Sequence, residues 1–136
     1  MALGDLVLEE TGNVTGIRVL SSDASGINLE INLQTSGTVR GVAETTLWTY
    51  TQLTRPDGSI LGGGTGVMTT QDGDVIHLRG NGSGEAGAPG GTTKFRVMIH
   101  PYSASPKYAD MNTIGWVGNY DVNADGSATS QFWEWK

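Results

Sequence analysis

Thr54-Arg55-Pro56-Asp57-Gly58-Ser59-Ile60-Leu61 is the stretch whose reading decides the fold. An Asp-Gly step between alternating apolar segments is a strong short-range hairpin signal. Both residues tolerate the positive φ that a two-residue type I′ turn demands. The step recurs at Asp72-Gly73 and at Asp125-Gly126. Each copy lies between segments with a two-residue period, so the chain predicts antiparallel hairpins following one another.

Working outward, Ile27, Leu29, Ile31 and Leu33 alternate with Asn28, Glu30 and Asn32. That is the pattern of a half-buried strand. Its partner is expected over 14–21, across Ser22-Asp23-Ala24-Ser25-Gly26. Leu6-Val7-Leu8 predicts a short first strand, and Thr35-Ser36-Gly37 a turn. Residues 38–54 are rich in Thr, Val, Trp and Tyr, all strand formers. Strands are further expected over 60–70, 75–84, 93–100, 113–122 and 128–136, with a loop over 85–92. Residues 101–112 are irregular and predict a short helical turn or a lid.

About eight or nine strands at this spacing, with little or no helix, predict an all-β barrel or sandwich, with a barrel of about eight strands expected. Trp133 and Trp135 lie almost at the chain end, where strands usually fray. Pairing of that last strand with Leu6–Leu8 would close a barrel and remove both edges. The expected architecture is one antiparallel, hairpin-connected β-barrel over residues 1–136.

The 136 residues suit one domain with a core of its own. The absence of cysteine excludes disulfides, a thiolate nucleophile and a Cys-based zinc site. A net charge of −6, with the 8 Lys and Arg scattered, argues against a nucleic-acid partner. Met1-Ala2-Leu3-Gly4-Asp5 lacks the basic and apolar regions of a secretion signal. No apolar run approaches the ~20 residues of a membrane span. A cytoplasmic protein without a membrane partner is expected.

Glycine, at 21 residues, is enriched inside strand-like segments as well as at turns. Two-residue loops would set Trp48 opposite Val67, Tyr50 opposite Thr65, and Thr65 opposite Gly80. One face would then hold Trp48, Tyr50, Leu61, Gly63, Val67, Ile76, Leu78, Gly80, Gly82 and Gly84. In the last hairpin Gly118 would face Trp133, and Trp116 would face Trp135, with Tyr120 on the same side. Glycine beside aromatics has two explanations. Kinks let a sheet coil while a ring covers the gap. Alternatively, bare backbone and rings line a slot for a flat apolar ligand.

Chemistry is less explicit. His100 stands near Tyr102, Lys107, Tyr108 and Asp110 and could act as an acid or base, or be a solvated loop histidine. His77 sits beside Arg79 and reads as a paired strand residue. Asp121, Asn123 and Asp125 resemble the start of a calcium loop, but Phe132 stands where the closing Glu belongs, so they are turn formers. No phosphate loop, nucleophile elbow or metal pattern is present, and no cofactor is implied. Glu30, Glu44, Glu85 and Glu134 fall at alternating strand positions. A glutamate buried in a lumen would have a raised pKa and serve as acid or base, whereas outside it would simply be solvated.

In chain length, in its Arg-Pro-Asp-Gly-Ser and Gln-Asp-Gly-Asp hairpins, in its Gly-rich middle strands and in its aromatic last strand, the sequence resembles the small calycin-like barrels. Among them it is most similar to the allene oxide cyclase-like ones. The resemblance implies an apolar lumen and a cofactor-free cyclase or isomerase; it assigns no individual residue.

Three functions follow as expectations. The first is binding of a small hydrophobic molecule by Trp48, Tyr50, Trp116, Tyr120 and Trp133. The second is cyclisation or isomerisation in the same lumen, with His100, Tyr102, Tyr50 and Glu30 as candidate catalytic residues. The third is a packed homo-oligomeric barrel whose tryptophans form the interface.

Overall fold

The computed structural model describes residues 3–136. Met1 and Ala2, the first two residues of the segment read for a secretion signal, lie outside them. Eight strands run in chain order: β1 Leu3–Asp23, β2 Gly26–Val39, β3 Val42–Thr54, β4 Ser59–Thr70, β5 Val75–Glu85, β6 Thr93–Tyr102, β7 Gly115–Val122 and β8 Ser127–Trp135. Each pairs antiparallel with the next, and β8 returns to β1, closing the barrel. Leu6 pairs with Trp133 and Leu8 with Phe132, as expected for the closing contact.

Two predicted breaks are absent. The strands expected at 6–8 and 14–21 are one continuous β1, and Thr35-Ser36-Gly37 continues β2 instead of turning. The turn lies further on, at Arg40-Gly41, where Val39 pairs with Val42 and both turn residues have positive φ (47° and 78°). This is the two-residue geometry that had been expected of the Asp-Gly steps.

The Asp-Gly steps themselves form a different turn. Gly58, Gly73 and Gly126 have positive φ, whereas the aspartates before them do not. The Gly58 amide donates to the Arg55 carbonyl, and the Arg55 amide to that of Ser59. Gly73 and Gly126 repeat the pattern with Thr70 and Asn123. Each loop therefore holds one residue more than a type I′ hairpin and ends in a glycine bulge. Asp57 and Asp125 steady the turns by accepting from the backbone and hydroxyl of Ser59 and Ser127.

One extra residue exchanges the faces of the strand that follows. Trp48 pairs with Gly66 and Tyr50 with Gly64, not with Val67 and Thr65. Thr65 pairs with Arg79, not with Gly80. Gly118 pairs with Phe132 and Trp116 with Glu134, not with Trp133 and Trp135. Gly62, Gly64, Gly66 and Met68 thus replace Leu61, Gly63 and Val67 on the inner face. The next loop repeats the slip and cancels it, so Ile76, Leu78, Gly80, Gly82 and Gly84 share a face with Trp48, as expected.

The core has two halves. Val7, Leu8, Val39, Met68, Ile76, Leu78, Ile99, Trp116 and Phe132 pack with Tyr108 and Met111. Leu33, Ile60, Phe95, Tyr120 and Ala128 form the second cluster, and Trp48 and Val97 touch both. Tyr108 and Met111 come from the irregular segment, which carries a short 3-10 helix, Ala109–Thr113. It plugs one end of the barrel. Arg40 ties it down by donating to both carboxylate oxygens of Asp110 (2.9 and 2.7 Å) and to Glu134 Oε1. Asn112 and Ser103 add two backbone-to-amide bonds.

Candidate functional site

Between the two core clusters lies a cavity of about 80 Å³. Gly62, Gly64, Gly80 and Gly82 expose backbone on one wall, and Leu33, Val97, Ile99, Ala128 and Phe132 supply hydrocarbon. The Trp48 indole lies across two glycines. A Cβ on Gly66 would stand 2.7 Å from that ring, and one on Gly80 3.2 Å from it. Tyr50 and Tyr120 meet edge to face (5.9 Å, 89°), with their hydroxyls 2.8 Å apart. Tyr120 also stacks on Phe95 at 5.4 Å. Burial pushes both phenols above their ordinary pKa, so they stay neutral and act as hydrogen-bonding groups.

The polar part of the wall is Glu10, Thr35 and Ser130, all buried. Glu10 faces Gly37 across β1 and β2, and Gly37 faces Glu44 across β2 and β3. Two carboxyl groups thus flank a residue without a side chain and act on each other over it. Gly37 has no alternative, since a Cβ there would stand 1.8 Å from the Glu9 carbonyl oxygen. Thr46 donates to Glu44 Oε2 at 2.6 Å. Loss of hydration, then the Glu10 carboxyl, push Glu44 up to about 8. The pair therefore holds a proton more readily than an ordinary carboxylate does.

The residues singled out in the sequence separate in space. Trp48, Tyr50 and Tyr120 line the cavity together. Trp116 is fully buried in the core cluster that floors it. Trp133 points outward, because the bulge before β8 exchanged that strand's faces. His100 and Tyr102 also lie outside, in a surface groove with His77 and Arg79. Glu30 is paired with Arg18 at 2.9 Å on the surface. Of the four alternating glutamates, Glu44 and Glu134 are buried. Glu10 was missed, although the period Leu8, Glu10, Gly12, Val14 marks it as inward-facing once β1 is read as continuous. Among the described residues no cluster of His, Asp and Glu could hold a metal ion, and no helix is long and apolar enough to cross a membrane.

No protein-family model matches the chain, and no curated protein matches it in sequence. Solved structures do share its fold. A protein of unknown function from Clostridium acetobutylicum superposes with a TM-score of 0.87 at 18% identity, over 100% of both chains. A β-barrel-like protein from Acinetobacter baumannii gives 0.81 at 16% identity, over 99% of this chain and 96% of that one. A conserved protein of unknown function from Rhodopseudomonas palustris gives 0.79 at 17%, over 99% of each. At such identities the likeness is one of fold. Small closed barrels of this size thus recur in distant sequences, and the contents of the lumen must be argued from this chain's own residues.

Proposed function

We propose that the protein binds a compact, largely apolar small molecule in the lumen of its barrel. The supporting observation is the cavity of about 80 Å³ between two core clusters, walled by glycine backbone and aromatic rings. Protein interiors pack closely, and a gap of this size is not what coiling alone requires. The volume also limits the occupant. An engineered apolar cavity of about 150 Å³ takes up benzene, so a lumen about half that size suits a smaller molecule and excludes a long lipid chain. Cyclase or isomerase chemistry, which the resemblance to allene oxide cyclase-like barrels implies, would use the same lumen. Of His100, Tyr102, Tyr50 and Glu30, Tyr50 is the one that lines it.

Native mass spectrometry of the purified protein, beside the same sample denatured, tests the binding function. A stoichiometric small molecule released on denaturation is the expected result. A protein that stays at its bare chain mass, and remains so after incubation with a panel of compact apolar molecules, would overturn it.

Self-association is favoured by a separate observation. Beyond the contact of the Val14 amide with the Gly126 carbonyl, residues 15–23 of β1 pair with β2 alone. Ile17 and Val19, each 63% exposed, lie there beside Leu20 and Ile27. A long, apolar, unpaired edge is a template for a second copy.

A further inference from the structure

Apart from the mutually bonded Tyr50 and Tyr120 hydroxyls, the lumen has one markedly polar place, and that place is incomplete. Glu10 and Thr35 are each 5% exposed and line the cavity. Apart from any proton the two carboxyls share, Glu10 Oε2 and Thr35 Oγ1 have no hydrogen-bond partner in the protein, nor does Glu44 Oε1 behind them. Buried polar atoms are almost always satisfied, and a buried carboxylate needs a proton, a donor or a cation. Among the described residues no Lys, Arg or His lines this cavity. Arg40, just past the end of β2, is already engaged by Asp110 and Glu134.

We propose, building on the lumen-binding function above, that the occupant is a compact aliphatic amine, its ammonium group donating to Glu10 and its hydrocarbon lying against Trp48 and the glycine wall. Three features of the site suit this class. With one proton shared between two carboxyls, the pair retains one negative charge, which an ammonium neutralises and a neutral ligand leaves buried. An ammonium has three donors, matching the Glu10 oxygen and the Thr35 hydroxyl, which can accept. The Trp48 and Tyr50 rings border the same space and attract a cation by their faces. A carboxylate or phosphate ligand is disfavoured by the charge already in the wall.

Isobutylamine and isobutanol, of nearly the same shape, are the probes, with xenon as a purely apolar test of the cavity. Xenon uptake is read from methyl NMR shifts of Leu33, Val97, Ile99 and Ala128. The two organic probes are measured by calorimetry at about pH 6 and about pH 9, on either side of the Glu44 value of about 8. Xenon should enter. Isobutylamine should bind at least about tenfold tighter than isobutanol. It should tighten with rising pH, because loss of the shared proton adds a second negative charge facing the ammonium, while isobutanol should show no such trend. Glu10→Gln should erase the preference for the amine and keep xenon uptake. Should that variant not fold, Thr35→Val serves instead and should weaken both organic probes. Xenon uptake without preference for the amine would overturn this proposal and leave the lumen-binding function standing. Failure of xenon and of both probes would overturn the two together.

Discussion

The Glu10–Glu44 pair makes a statement about stability as well as about binding. A carboxyl whose pKa is raised in the folded state favours folding fully below its unfolded value and loses that contribution as pH rises through the folded one. Glu44 goes from 4.5 to about 8, so stability should fall across that window. The difference corresponds to at most about 5 kcal/mol, at roughly 1.4 kcal/mol per tenfold change in proton affinity. Glu44→Gln keeps a donor toward Glu10 and an acceptor for Thr46. Urea midpoints should therefore drop between about pH 5 and about pH 8.5 in the natural protein and stay nearly level in the variant. Equal slopes would show that the pair does not hold its proton. Gly66 supplies a second test. A methyl group there would stand 2.7 Å from the Trp48 ring, and the ring lies between sheet and cavity. Gly66→Ala should cost about 1–3 kcal/mol by overpacking. It should also shift Trp48 emission as the indole moves into the lumen. Unchanged melting and fluorescence would mean that the ring is not seated on the glycines.

The hairpins show how far local sequence reaches. Asp57-Gly58, Asp72-Gly73 and Asp125-Gly126 announced turns in the right places, because the need for a positive-φ residue is a property of one dipeptide. Loop length is not. A two-residue loop and a three-residue loop with a bulge both accept Asp-Gly, and they differ by one residue of register. That one residue put Trp133 outside and Phe132 and Glu134 inside. Arg40-Gly41 was the converse case: Arg gives no turn signal, and its positive φ is held by the Arg40 amide donating to Val7 and by the side chain gripping Asp110 and Glu134. The unpaired stretch of β1 carries its own prediction. If its apolar edge pairs with a second copy, light scattering should show a concentration-dependent dimer, and Ile17→Lys with Val19→Lys should return the monomer. A monomer in the natural protein at high concentration would remove self-association from the account.

Closure ties the first strand to the last. β8 is flanked by β7 on one side and β1 on the other, with Phe132 and Glu134 buried and Trp135 paired with both Gly115 and Leu3. Deleting residues 132–136 would open two ladders and uncover the floor cluster. Cooperative thermal unfolding should be lost, as followed by far-ultraviolet circular dichroism. A truncated chain that melted like the whole would show that the barrel does not depend on being closed.

Period-two alternation and Asp-Gly steps were enough to specify all-β architecture and hairpin succession, because strand pleat and turn φ are local properties. The aromatic last strand pointed to closure, and β8 does pair with both β7 and β1, although Trp133 faces outward. The same information placed Trp48 with Gly80, and it named Tyr50 and Tyr120 for the lumen. What it did not contain was the count of residues in each loop, and hence the inner face of β4 and β8. Nor did it show that Glu10 and Glu44, far apart in the chain, meet across Gly37. That meeting needs three strands in one register, and register across a barrel is settled by the packing of the closed sheet as a whole. The polar end of the lumen is therefore a product of tertiary structure, and the chemistry proposed for it rests there.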